Sequence, residues 1–209
     1  GEGGTVLVEL EDDLVAVSGE VFIDGVVDDF PDEVMEPAGV NATDVNISAR
    51  LYTPGATPPL DLGAEMIGEV VAVGDKVTDF KVGDTVLSTA IGGYAEYITV
   101  RSRYAIPVPE ASPQILALVR SGMTAALGLN TVGEMRSGET VLVTAAAGGT
   151  GQFAVQLAKL AGNTVIGTCG SEDKAELLRA LGCDRVINYK QEDVGAVLKA
   201  EYPRGIDLV

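Results

Sequence analysis

The chain's 209 residues are 46% hydrophobic, enough to bury a core in one or two domains. Acidic residues outnumber basic ones 31 to 14, and a formal net charge of −17 repels polyanions, which argues against nucleic acid as a partner. Only Cys169 and Cys183 occur and histidine is absent, so neither a disulfide framework nor a His/Cys zinc site has its ligands.

The acidity is equally what solubility or a salty habitat would produce. Both cysteines flank glycines, Gly170 and Gly182, at the ends of apolar segments and read as small, reduced, half-buried residues. No apolar run approaches the roughly 20 residues of a membrane span, and the opening Gly-Glu-Gly-Gly lacks the regions of a signal peptide. A cytoplasmic or peroxisomal location is the expectation.

Up to about residue 110, short alternating runs at 68–73, 84–88 and 94–100 read as strands separated by turns, a β-rich domain spanning 1–110. Connecting helices are expected over 111–134, and helix-length segments then alternate with β-branched strands over 135–209. The first strand is expected at 140–144, followed by a helix over 151–161 with Phe153, Leu157 and Ala161 on one face and Gly162 as its stop. A strand at 164–168 follows, then a helix over 172–181 capped by Ser171 and ended by Gly182, and a third strand at 185–188. A helix over 194–201 and the start of a fourth strand at 206–209 complete the pattern. Right-handed crossovers stack such units into the first half of a doubly wound parallel sheet, giving an α/β plus β architecture.

Thr144-Ala-Ala-Ala-Gly-Gly-Thr-Gly-Gln152 lies between the first strand and its helix, and Ala146, Gly148 and Gly151 take the three places of a G-x-G-x-x-G fingerprint. Gly148 and Gly149 let the backbone approach a pyrophosphate, Gly151 lets the helix pack closely on the strand, and Thr150 adds a hydroxyl donor beside the free amides of the first turn. A tight turn would also explain the glycines, but the strand-to-helix setting favours a dinucleotide. About 20 residues further on, where an NAD site places an acid for the ribose, the strand instead runs into Cys169-Gly-Ser-Glu-Asp-Lys174. Ser171 and Lys174 within one helical turn could converge on a 2′-phosphate, favouring NADP. The competing reading has Glu172 and Asp173 complementing the helix dipole and Lys174 solvated.

The runs Gly68-Glu-Val-Val-Ala-Val-Gly-Asp75 with Val77, Phe80, Val82-Gly-Asp84 and Val86, Gly93-Tyr-Ala-Glu-Tyr97, Val40-Asn-Ala-Thr-Asp44, the glycine loop and Ile187-Asn-Tyr-Lys190 resemble motifs of the medium-chain dehydrogenase/reductase superfamily over residues 38–209. Residues 141–153, 165–169, 182–185 and 197–203 carry a closer likeness to its zinc-free, quinone oxidoreductase-like branch and the prostaglandin reductases within it. The resemblance implies a GroES-like domain followed by a Rossmann domain that this chain leaves half built, and a homodimer when full length. It also implies NADPH-dependent hydride transfer to the C=C bond of α,β-unsaturated ketones, with 15-oxoprostaglandins as the named class. A quinone oxidoreductase, an NADPH-binding protein without turnover and an inert fragment with an exposed sheet edge are the alternatives.

By position in those motifs, Thr150, Lys174 and Tyr189 match cofactor-binding residues, and Gly170 stands where the relatives carry a serine, with Ser171 placed to take over its contact. Tyr52 matches a tyrosine near the cofactor ring and is the candidate catalytic donor, Asn41 its orienting partner, and Thr124 a contact to the nicotinamide. Structural duties compete at each: Tyr52 bracing the turn at Thr53-Pro54-Gly55, Asn41 satisfying loop backbone, Thr124 as an ordinary helix residue. Zinc-dependent relatives place Cys near Asn41 and His after Gly63, where this chain has Ala42, Thr43 and Ala64, so no zinc is expected. Residues 1–30 align poorly with the superfamily, and 32–41 is about two residues short of its strand there.

Overall fold

The computed structural model describes residues 14–18 and 38–209, so the expectations for 1–30 and 32–41 fall almost entirely outside the described residues. Two compact units emerge, residues 1–116 and 117–209.

In the first unit, β1 (Leu14–Ser18), β2 (Met66–Val73), β3 (Thr85–Ser88), β4 (Tyr97–Arg101) and β5 (Ala105–Pro107) form an antiparallel sheet in the order β4-β1-β2-β3-β5. The period-two pattern of β4 buries Ile98 and Val100 and exposes Tyr97, Thr99 and Arg101, the signature of a sheet covered on one face. Val17, Met66, Val70 and Val86 complete that core. The strand expected at 94–100 begins only at Tyr97, because the chain before it folds back: the amides of Gly92 and Gly93 both donate to the Gly63 carbonyl. Helix α1 (Ala42–Ser48) has Asn41 at its N-cap position.

A helix, α2, runs over Pro113–Val132, with π turns at Leu118–Gly122 and Gly128–Val132. Its 20 residues and mean hydropathy of 1.4 make it long and apolar enough, by length and composition, to cross a membrane, which corrects the expectation that no segment approaches that length. The interspersed Arg120, Ser121, Thr124 and Asn130 hid the run. Gly122, Ala125 and Leu129 on it are buried, and Leu129 joins the core of the second unit.

Strands β6 (Thr140–Val143), β7 (Thr164–Cys169) and β8 (Arg185–Asn188) are parallel neighbours in that order. On the other side of β6, Leu208 bridges in parallel to Val141, so the fourth strand begins where expected and the order reads Leu208, β6, β7, β8. Helices α3 (Gly149–Leu160) and α4 (Glu172–Ala180) share a core with Val141, Val143, Val165 and Val186, whereas Leu142, Ile166 and Ile187 pack with Val194, Val197 and Leu198 of α5 (Val194–Glu201). Helices cover both faces, as the right-handed crossover requires.

Details differ from the sequence reading. Helix α3 starts at Gly149, two residues early, and its fully buried positions are Val155 and Ala158, with Phe153, Leu157 and Ala161 only partly covered. Ser171 occupies the N-cap position of α4 but its side chain makes no capping hydrogen bond. Both cysteines are buried rather than half-buried. Gly162 and Gly182 end their helices at positive φ, 84° and 101°.

Candidate functional site

The loop between β6 and α3 is fastened to the next strand. The Ala145 amide donates to the Thr168 hydroxyl at 3.2 Å and the Ala146 amide to the Thr168 carbonyl at 3.0 Å. Ala145 adopts a left-handed conformation, φ 48°, uncommon for a residue with a side chain. Gly148 then sits extended at the N-cap, and the first amide to find an intrahelical acceptor is that of Gln152, on the Gly148 carbonyl at 3.0 Å. The amides of Gly149, Thr150 and Gly151 precede it and form the orphan donors of a helix start, an anion-binding arrangement.

Two glycines there are dictated by space and not by backbone freedom, since neither has positive φ. A Cβ on Gly151 would lie 2.6 Å from the carbonyl oxygens of Ala145 and Ala146, and one on Gly149 would lie 3.0 Å from the Ser121 hydroxyl of α2. A cavity of about 420 Å³, lined by the loop together with Leu129, Ala154 and Val209, opens at this end of β6. That volume suits a small-molecule site. It stands where the strand order reverses, β7 on one side of β6 and Leu208 on the other, the place where open α/β sheets bind ligands.

Ser171, Lys174 and Tyr189 gather at the same edge. β7 ends at Cys169, Ser171 opens α4, Lys174 is exposed in its first turn, and the Tyr189 amide donates to the Cys169 carbonyl at 3.0 Å, which sets Tyr189 beside the end of β7. None of the three polar side-chain ends has a hydrogen bond or ion pair among the described residues. Gly148, Gly149, Thr150 and Gly151 therefore share one sheet edge with Ser171, Lys174 and Tyr189. Thr124 is exposed on α2, one turn beyond Ser121, which approaches Gly149.

Asn41 and Tyr52 belong to the first unit, and no hydrogen bond joins them. The Asn41 side-chain amide donates to Glu65 Oε1 at 2.8 Å and its backbone amide to Asp44 Oδ2 at 2.8 Å, while Asp44 Oδ1 accepts the Gly63 amide at 2.9 Å. Asp44 and Glu65 are buried, and Tyr94 donates to the Gly39 carbonyl at 3.1 Å beside them. Burial first, and then the negative charge of Asp44 and Glu65, push the Tyr94 phenol up to about 12. Tyr52 stands 62% exposed in the bend before Pro54. Among the described residues no group of three or more His, Cys, Asp or Glu could hold a metal ion.

Residues the sequence reading passed over are Thr168, whose hydroxyl holds the loop, and the acids Asp44 and Glu65 around Asn41. Thr168 ends a predicted strand next to a glycine loop, a usable signal; the acids become neighbours only through the turn at residues 62–66.

Comparison with known proteins follows the same division. Residues 34–110 match the alcohol dehydrogenase GroES-like domain, and residues 149–209 match the family described as zinc-binding dehydrogenase. The chain is 53% identical to Prostaglandin reductase-3 of Mus musculus over 172 residues, 82% of this chain and 46% of that protein. It is 49% identical to a probable quinone oxidoreductase of Leishmania amazonensis over 173 residues, 82% of this chain and 51% of that one. Among solved structures, the Escherichia coli quinone oxidoreductase complexed with NADPH superposes with a TM-score of 0.78 at 31% identity, over 92% of this chain and 55% of that one. The chain thus spans about half the length of the curated relatives it matches.

Proposed function

This chain belongs to the medium-chain dehydrogenase/reductase superfamily, and on that premise we propose that its protein is an NADPH-dependent reductase of activated alkenes, α,β-unsaturated ketones of the 15-oxoprostaglandin type foremost. The observation that carries this reading is the convergence, on one sheet edge at the strand-order reversal, of the amide-rich start of α3 with Ser171, Lys174 and Tyr189. The fit is steric as well as polar. Gly148 leaves the backbone bare where a pyrophosphate would lie, Gly149 makes room for Ser121 of α2, and Gly151 seats α3 against the loop.

Bound NADPH supplies the hydride that goes to the β-carbon of the alkene. In this reading the chain's own residues bind and polarise. The amides of Gly149, Thr150 and Gly151 with the Thr150 hydroxyl hold the pyrophosphate, and Ser171, Lys174 and Tyr189 hold the 2′-phosphate with charge-assisted hydrogen bonds. Thr124 positions the nicotinamide. The Tyr52 hydroxyl donates to the substrate carbonyl oxygen as negative charge develops there; Asn41, whose side chain is bonded to Glu65, does not orient it. Polarisation by hydrogen bonds takes the place of a Lewis acid, since Ala42, Thr43 and Ala64 stand where zinc-dependent relatives carry ligands. The relatives named quinone oxidoreductases favour a second reading in which the acceptor is a quinone. Assembly as a homodimer is part of the proposal.

The test is NADPH oxidation by the protein with a 15-oxoprostaglandin-like enone, a quinone, or neither. Enone-dependent oxidation that falls about tenfold in kcat/KM for NADPH in Lys174→Ala, the scale of one charge-assisted contact, is the expected result. Oxidation with the quinone alone replaces the first reading by the second. Thermal stabilisation by NADPH with no consumption on either acceptor would make the protein a non-catalytic binder.

A further inference from the structure

Ala145 follows β6 with φ 48°, in the left-handed region that a residue with a Cβ enters only at a cost. Both fastenings of this bend come from Thr168. Its hydroxyl accepts the Ala145 amide at 3.2 Å and its carbonyl accepts the Ala146 amide at 3.0 Å. Thr168 is buried near the end of β7, and Val143 pairs with Gly167 just before it, so the hydroxyl stands on a strand that the sheet fixes. What the bend decides lies downstream. The Ala145 carbonyl accepts the Gly148 amide at 2.9 Å, and the same oxygen lies 2.6 Å from where a Cβ on Gly151 would stand. Its direction therefore sets how α3 begins and which amides stay open: that of Gly148 is spent inside the turn, and those of Gly149, Thr150 and Gly151 are left for an anion.

We propose that Thr168 is a positioning residue for the dinucleotide: its hydroxyl touches no ligand, and by holding Ala145 in a backbone conformation that alanine disfavours it keeps the loop in the shape that receives the pyrophosphate. This rests on the NADPH reading above and deepens it. Without the hydroxyl, Ala145 relaxes toward the regions that L-residues prefer, its carbonyl turns away from Gly148, and only a fraction of molecules offers the open amides. Apparent affinity falls by that fraction. The pyrophosphate is common to NADPH and NADH, so both weaken alike, whereas loss of Lys174 acts on the 2′-phosphate alone. The left-handed residue and its tether form one device. Ala145→Gly removes the steric cost of the bend, and with it the need for the hydroxyl.

The test is calorimetric titration of NADPH and NADH into the protein and into Thr168→Val, Thr168→Ser, Ala145→Gly and the double variant Thr168→Val/Ala145→Gly. Valine keeps the shape of threonine and removes only the acceptor. Thr168→Val is expected to weaken both dinucleotides about fivefold, the scale of one neutral hydrogen bond, while Thr168→Ser and Ala145→Gly stay within about twofold of the unaltered protein. Adding Ala145→Gly to Thr168→Val is expected to restore binding to within about twofold. A packing role for Thr168 would not respond to residue 145, so a loss that Ala145→Gly leaves unrelieved overturns the proposal. A loss confined to NADPH, or one as large in Thr168→Ser as in Thr168→Val, overturns it too. Unchanged affinities in Thr168→Val alongside weaker NADPH binding in Lys174→Ala refute the role of Thr168 and leave the cofactor reading standing. An unaltered protein that binds neither dinucleotide refutes both. If Thr168→Val does not fold, Thr168→Ala with and without Ala145→Gly carries the same comparison, and absence of relief there overturns the proposal.

Discussion

A methyl group on Gly151 would meet only backbone, 2.6 Å from two carbonyl oxygens and 2.7 Å from the Ala146 Cα, so α3 and the loop must part to admit it. A methyl group on Gly148 meets one carbonyl oxygen at 3.2 Å and otherwise open space. The two glycines should therefore respond differently. Gly151→Ala is expected to cost about 1 to 3 kcal/mol of stability, the range for overpacking, whereas Gly148→Ala costs less and acts on NADPH affinity by filling the anion's approach. Urea denaturation and a binding titration on both variants check this; equal destabilisation by the two would contradict it. The spacing of Ala146, Gly148 and Gly151 is carried by consecutive residues and so could be read from the chain. The left-handed Ala145 held by Thr168 could not, because its partner lies across the sheet.

Among the elements, the return from α3 to β8 is held by one acid. Asp184 accepts the Val165 amide at 2.7 Å and the Lys159 ammonium at 2.9 Å, while the same ammonium donates to the Asn163 carbonyl. Burial would raise the Asp184 carboxyl, but the Lys159 and Val165 hydrogen bonds more than offset it and hold it below its ordinary 3.8. A folded value below the unfolded one stabilises the protein above the unfolded value, and that contribution disappears as pH falls through the folded value. Asp184→Asn should cost about 1 kcal/mol at neutral pH, after allowing for a side chain open to solvent, and the gap to the unaltered protein should close near pH 2. Urea midpoints at both pH values decide, and a gap of constant size would contradict the assignment. Strands and helices of this unit were legible because period-two and glycine-stop patterns are local. The start of α3 was misplaced by two residues because Gly149 and Gly151 lower helix propensity there while tertiary contact overrides it, and α2 was undervalued because polar residues break its apolar run.

For the molecule as a whole, fold class was legible because both units carry motifs that fix backbone turns: the glycine loop, Gly83-Asp84 after β2, and the helix-ending Gly162 and Gly182. The surroundings of Asn41 were less so, since the acids Asp44 and Glu65 come together around it only in the folded unit. The net charge of −17 sharpens the claim for Lys174. A dianionic phosphate approaching so acidic a protein needs a local cation, and screening over about 8 Å leaves only nearby charges to matter. The most direct measurement is a crystal structure of the protein grown with NADPH. The account predicts the pyrophosphate against the amides of Gly149 to Gly151 and the 2′-phosphate among Ser171, Lys174 and Tyr189; an ordered dinucleotide elsewhere, or an ordered loop with none bound at saturating NADPH, would contradict it.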